Sequence, residues 1–233
     1  MPMGTVARIA LLMGLAVSLA LPAYAQEALW NDLNAKVFSL YQQGRYSEAA
    51  KVAKESVKVA ETTFGPHHPA VATSLNNLAS SYRAQGQYAE AEPLYKQALD
   101  IMEEALGPEH PAVPMSLNNL AEIYRLQGRY AEAEPLYKRA LTIEEKALAA
   151  DHPVVATSLN NLAELYRLQG RYAEAEPLYK QALAIMEKAV GPYHRNVATV
   201  LGNLAKLYKK TGRNDEAKQL EERAKRILSS SQR

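Results

Sequence analysis

Four histidines, His68, His110, His152 and His194, recur every 42 residues, and His67 stands beside the first. Imidazole ligates zinc and moves protons near neutral pH, so the set invites a metal or general-base reading. The spacing argues against it. One histidine per stacked unit leaves the rings about 10 Å or more apart, the packing distance of neighbouring helices, whereas zinc needs its donor nitrogens within about 2.1 Å. His67 and His68 form an adjacent pair with no third ligand nearby in the sequence. The expected role of the histidines is a joint or a cap. Paired carboxylates recur as well: Glu90 and Glu92, Glu132 and Glu134, Glu174 and Glu176. Two carboxylates can share acid–base work, but these pairs open helical segments, where negative charge complements the helix dipole. The chain has no G-x-S-x-G, Walker-type glycine loop, H-E-x-x-H or calcium loop. It has no cysteine either. No catalysis, metal or cofactor is expected.

A different polar pattern remains. The hexamer SLNNLA occurs at residues 74–79, 116–121 and 158–163. Asparagine is a poor core residue and a mediocre helix former, so a doublet repeated on an apolar background needs a position that explains it.

The elements that position it are themselves repeated. Gly44, Gly86, Gly128, Gly170 and Gly212 keep the 42-residue step, as do Leu33, Leu75, Leu117, Leu159 and Leu201. Five units follow, at about 26–67, 68–109, 110–151, 152–193 and 194–233. Each reads as two helices. The first follows His-Pro, with proline in the free first turn and apolar residues such as Val71, Leu75, Leu78, Ala79 and Tyr82 at three- and four-residue steps. Gly86 ends it. The second carries Ala91, Leu94, Tyr95, Ala98, Leu99 and Met102 on one stripe and stops at Gly107-Pro108. Pro114 stands where other units have alanine, so its helix is expected to begin late. Tyrosines at fixed repeat positions alternate with alanines and read as core.

Leu75, Asn77, Leu78, Ala79, Tyr82, Gly86, Tyr88, Ala91, Tyr95, Ala98 and Leu99 resemble the tetratricopeptide repeat pattern. The 42-residue length, the HP start and AEAEPLYKQAL are similar to the kinesin light chain subtype. The resemblance implies an all-α, right-handed solenoid of five helix-turn-helix repeats, with the first helix of every unit lining a concave groove. It places Asn34, Asn76, Asn118 and Asn160 in one groove row and Tyr41, Arg83, Arg125, Arg167 and Lys209 in another. Phe38, Ser80, Glu122, Glu164 and Lys206 form a third, and Asn31, Thr73, Met115, Thr157 and Thr199 a fourth. Amides pair with a peptide backbone whatever its sequence, and guanidinium binds carboxylates bidentately. An extended protein or peptide segment with acidic residues is therefore the expected ligand. Two observations weigh against it: Glu122 and Glu164 sit three residues before Arg125 and Arg167 and can pair with them, and duplication alone would make the units alike. The second asparagines, Asn77, Asn119, Asn161 and Asn203, fall at the edge between groove and neighbouring unit, where a bond between units is as good a reading as ligand contact.

The N-terminus reads as a secretory signal: Arg8, an apolar run over residues 9–21, Pro22, and an Ala23-Tyr24-Ala25 cleavage site. The run is shorter than the ~20 residues that span a bilayer, so residues 1–25 are expected to be cleaved and residues 26–233 to form the repeat domain. An uncleaved membrane anchor is the competing reading. The implied location is the bacterial periplasm or exterior. A net charge of +2 gives no electrostatic case for nucleic acid. The expected function is an exported, non-enzymatic scaffold or adaptor that binds a protein segment in its groove. The alternative is self-assembly through the solenoid ends or convex face, motivated by Trp30, Phe38 and Tyr41 in the first unit.

Overall fold

The computed structural model describes residues 23–230, so the expected signal segment lies outside the described residues except for its last three positions. Among the described residues there are ten helices and no strand. They pair as α1 (Ala23–Gln42) with α2 (Tyr46–Phe64), α3 (Pro69–Ala84) with α4 (Tyr88–Leu106), and α5 (Val113–Leu126) with α6 (Tyr130–Ala147). Then α7 (Pro153–Leu168) pairs with α8 (Tyr172–Val190), and α9 (Arg195–Lys210) with α10 (Asn214–Ser230). The expected cleavage point after Ala25 falls in the first turn of α1. Each helix packs on its neighbours in the chain, the nearest-neighbour stacking of a solenoid. First helices α1 and α3, α3 and α5, and α7 and α9 also meet.

The histidines act as caps. His68, His152 and His194 precede α3, α7 and α9, and their Nδ1 atoms accept the backbone N–H of Ala70, Val154 and Asn196 at 3.1–3.2 Å. His110 does the same for Ala112 at 3.2 Å. The bonds of His68, His152 and His194 each satisfy one of the donors a helix start leaves open, whereas that of His110 closes the turn before the late-starting helix of its unit. At the other end of α3, the Gln87 N–H donates to Tyr82 O at 3.0 Å and the Gly86 N–H to Arg83 O at 3.0 Å. This closing pair needs Gly86 at φ +75°, which a side chain would strain.

Unit 3 departs from this frame at both ends. Its first helix starts at Val113, two residues later than Pro69 or Pro153 would place it. Begun at Pro111, the helix would set Pro114 where an N–H must bond the His110 carbonyl; begun at Val113, Pro114 lies in the free first turn. Its second helix ends at Ala147, because Ala149 replaces the left-handed Gly107 and Gly191 of the adjacent units and Leu148 turns extended instead.

The core is the space between paired helices. Tyr95, Tyr137 and Tyr179 are fully buried, each beside alanines that are also fully buried: Ala91 and Ala98, Ala133 and Ala140, Ala175 and Ala182. The small residues let the helices approach closely enough to enclose the large rings. Trp30 is turned inward, edge-on to Phe64 at 5.5 Å with its Nε1–H bonded to Ser74 Oγ at 2.8 Å. At the far end, Glu221 and Lys225 take positions that are tyrosine and leucine in units 2 to 4, and both are exposed.

Candidate protein-binding groove

The asparagine doublet forms a ladder between units. Asn77 Nδ2 donates to Asn34 Oδ1 at 2.8 Å, Asn119 Nδ2 to Asn76 Oδ1 at 3.5 Å, and Asn203 Nδ2 to Asn160 Oδ1 at 3.1 Å. The second asparagine of one unit thus donates to the first asparagine of the unit before. First asparagines also reach forward: Asn76 Nδ2 to Ser116 Oγ at 3.2 Å and Asn118 Nδ2 to Ser158 Oγ at 3.1 Å. The rung from Asn161 to Asn118 is missing, and Asn118 Oδ1 is buried with no hydrogen-bond partner among the described residues.

This corrects the simple division into a groove row and a joint row. Asn76 is 5% exposed and committed to the joint. Asn34 bonds Trp30 O, Ser56 and Asn77, so it too is tied up. Asn118 and Asn160 do border open space, a cavity of about 490 Å³ lined only by α3, α5, α7 and α9. Arg83, Arg125, Glu122 and Glu164 line it as well, joined by Asn119, Asn161, Asn203, Thr199 and Lys206. Arg167 and Lys209 are not in its wall: Arg167 bonds Glu164, and Lys209 pairs with Glu221 of α10 at 2.6 Å.

Charge in the middle of the groove is largely neutralised from within. Arg125 Nε and Nη2 each lie 2.7 Å from a Glu122 oxygen, and Arg167 holds Glu164 with the same two bonds. The buried tyrosines back these pairs: Tyr137 Oη donates to Glu122 at 3.0 Å and Tyr179 Oη to Glu164 at 2.6 Å. Burial alone would raise the Glu164 carboxyl, but hydrogen bonds from Arg167 and Tyr179 outweigh it and hold it below the ordinary carboxylate value. In unit 2, Ser80 takes the glutamate position and bonds Tyr95 Oη at 2.8 Å. Arg83 therefore has no carboxylate on its own helix and reaches Glu122 only at 3.9 Å, with Nε unpartnered among the described residues. Lys206, at the opposite end, bonds Asn203 Oδ1 at 3.1 Å and is exposed. The available positive charge sits at the two ends. Beyond Arg83, Phe38 is 66% exposed and with Tyr41 walls a further hollow of about 250 Å³.

A second ladder runs along the turn edge. Arg129 stacks 4.2 Å over Tyr124 while bonding Glu92 of the preceding unit at 2.7 Å. Arg171 stacks 3.9 Å over Tyr166 and bonds Glu134 at 2.7 Å; Arg213 stacks 3.7 Å over Tyr208 and bonds Glu176 at 2.8 Å. Lys96, Lys138 and Lys180 bond the same three carboxylates. Of the carboxylate pairs, then, only Glu90, Glu132 and Glu174 lie in a first helical turn. Glu92, Glu134 and Glu176 clasp the next unit, which their place in the sequence alone does not reveal.

The tetratricopeptide repeat family pattern matches residues 27–104, 71–146, 113–188 and 154–230. The chain belongs to that family. Among solved structures, it is similar to a putative kinesin light chain with nearly identical repeats from Podosopora anserina, at 30% identity over 87% of this chain and 96% of that one, with a TM-score of 0.69. BtubC (BKLC) from P. vanneervenii matches at 25% identity, 89% and 82% coverage, and a TM-score of 0.75. A Rap protein complexed with competence and sporulation factor shares the fold, at 19% identity and a TM-score of 0.74, over 86% of this chain and 54% of that one. No curated protein matches. Solenoids of this family mediate protein–protein interaction, which fits a wall of amides and paired charges. Among the described residues no helix is long and apolar enough to cross a membrane.

Proposed function

We propose that this chain is an exported scaffold that holds an extended segment of a partner protein along the groove of its first helices, without catalysing a reaction. The observation that carries the reading is the 490 Å³ cavity, walled by four successive first helices with amides and guanidiniums and no apolar side chain. Amides suit a peptide backbone, and Arg83, 3.9 Å from its nearest carboxylate, and the exposed Lys206 suit acidic residues toward the two ends of the segment. The apolar run over residues 9–21 and the Ala-x-Ala site support export to the periplasm or exterior.

The test is affinity capture with crosslinking from envelope extracts, using the full chain. Alanine at Asn118, Asn160, Arg83 and Arg125 together is expected to abolish capture while a cooperative thermal transition persists. Lys206→Glu, at an exposed site, is expected to weaken capture without affecting the fold. Undiminished capture by both variants sinks the reading. Self-assembly is the second reading. Trp30, part of its motive, is half-buried in the first joint, but Phe38 remains exposed. Light scattering of the full chain across concentration separates the two: a strict monomer that still captures a partner removes self-assembly.

A further inference from the structure

Two departures of unit 3 converge on one place. The late start of α5 at Val113 and the early end of α6 at Ala147 border a cavity of about 600 Å³ between units 3 and 4. Its rim is apolar: Pro114, Leu148, Met115, 54% exposed, and Val154, 42% exposed. Asn118, Asn119 and Asn161 line both this cavity and the groove cavity, so the two spaces adjoin.

A carboxylate stands in its wall. Glu144 is 4% exposed, at a repeat position that is apolar in every other unit: Ala60, Met102, Met186 and Leu228. Its Oε1 accepts from Asn118 Nδ2 at 3.3 Å, while Oε2 has no hydrogen-bond partner among the described residues. Asn118 Oδ1 is likewise unpartnered, because the Asn161 rung is absent. The amide is not simply flipped, since that would set its oxygen against a carboxylate oxygen. Both oxygens are buried beneath the cavity wall, and the hydrogen bonds that Ser158 and Asn118 give Glu144 do not offset its burial. A buried, half-satisfied carboxylate is costly, and burial pushes the Glu144 carboxyl above its ordinary value. Methionine, as in units 2 and 4, would carry no such cost.

We propose that the cavity between units 3 and 4 is a subsite for a basic side chain of the bound segment, its alkyl stem lying on the exposed Met115 and Val154 and its cationic head drawn to the Glu144 carboxylate, which turns from the wall to meet it. A cation supplies several donors and the charge that the carboxylate lacks, and its stem suits the apolar rim. A purely apolar side chain would leave the carboxylate unpaired, and an acidic one would add like charge. The subsite deepens the groove reading and depends on it only for where the side chain comes from.

The test needs no partner protein. The full chain, labelled at its methionine methyls, is titrated with n-pentylammonium and with 1-pentanol, following Met115 by NMR. The ammonium is expected to bind at least about tenfold more tightly than the alcohol. Glu144→Met, which restores the residue of units 2 and 4 and should preserve the fold, is expected to abolish that preference; Glu144→Gln is expected to reduce it severalfold. Equal binding of the two probes, or a preference that survives in Glu144→Met, overturns the subsite. Because partner capture is read separately, intact capture with no ammonium preference removes the subsite alone. Lost capture in the groove variants, with the preference intact in the unaltered chain, supports both.

Discussion

Two ladders hold the units in register, and they differ in regularity. Along the turn edge, the cluster of arginine, tyrosine, glutamate and lysine is reproduced at the joints of units 2 and 3, 3 and 4, and 4 and 5, with stacking distances of 4.2, 3.9 and 3.7 Å. Along the groove, the asparagine ladder has rungs of 2.8, 3.5 and 3.1 Å and one gap, where Asn118 Oδ1 stands unpartnered. The regular ladder satisfies its own groups completely enough to serve only structure. The interrupted one leaves a buried polar atom without a partner at a residue that borders the groove, and such an atom calls for an explanation beyond the ladder.

The largest effect should come from the core that backs the groove. Tyr179→Ala empties a fully buried site and is expected to cost about 3–5 kcal/mol. Tyr179→Phe removes only the bond to Glu164 and is expected to cost about 1 kcal/mol. Urea denaturation of both separates packing from polar support; equal losses would mean that the groove charges, not the ring, dominate.

Next comes the gap itself. Glu144→Met is expected to stabilise the chain by about 1–3 kcal/mol at neutral pH, since it removes a buried carboxylate with an unpartnered oxygen. The folded value of Glu144 is raised, so the penalty is absent below the ordinary carboxylate range and complete only above the folded value. The gain over the unaltered chain should therefore shrink as pH falls toward about 4. Melting both proteins at the two pH values checks the sign.

The turn edge should respond more modestly and with the opposite pH dependence. Glu176 is held down to about 2 by Lys180 and Arg213. Its contribution to stability is complete above the ordinary value of about 4.3 and is lost as pH falls toward the folded value. Glu176→Gln is expected to cost about 1 kcal/mol at pH 7, because the site is partly solvated. The two proteins should converge as pH falls from about 4 toward about 2, and a gap undiminished near pH 2 would contradict the assignment.

The smallest effect sharpens the regular ladder. Gln87 occupies the position held by Arg129, Arg171 and Arg213, in a backbone conformation close to theirs. Gln87→Arg should place a guanidinium over Tyr82 and beside Glu90, raising Tm by no more than about 2 °C. No change would show that the stacking adds nothing without a glutamate from the unit before.

Much of this was legible from the 42-residue step. Histidine caps, turn glycines and the tyrosine–alanine core each recur in several units, so their periodicity exposed them. The Glu122–Arg125 and Glu164–Arg167 pairs were legible too, because spacing of three along a helix sets the side chains together. The exported destination rests on residues outside the described part and remains a proposal. Glu144 was missed although a signal existed: it is the one charged residue at a position that is otherwise Ala60, Met102, Met186 and Leu228. Reading shared residues emphasises what repeats agree on, whereas a site is built where one repeat disagrees.

The sequence alone determined the helices, their pairing and their stacking order, because those follow from short-range periodicity and from turn and cap residues acting within a few positions. Tertiary structure decided which polar groups are used up and which are left over. Asn76 and Asn118 occupy the same place in their repeats, yet one is buried in a joint and the other borders open space while its own oxygen is buried and unpartnered among the described residues. The difference accompanies Pro114 at one end of unit 3 and Glu144 and Ala149 at the other, about thirty residues on, which meet only when unit 3 is stacked on unit 4.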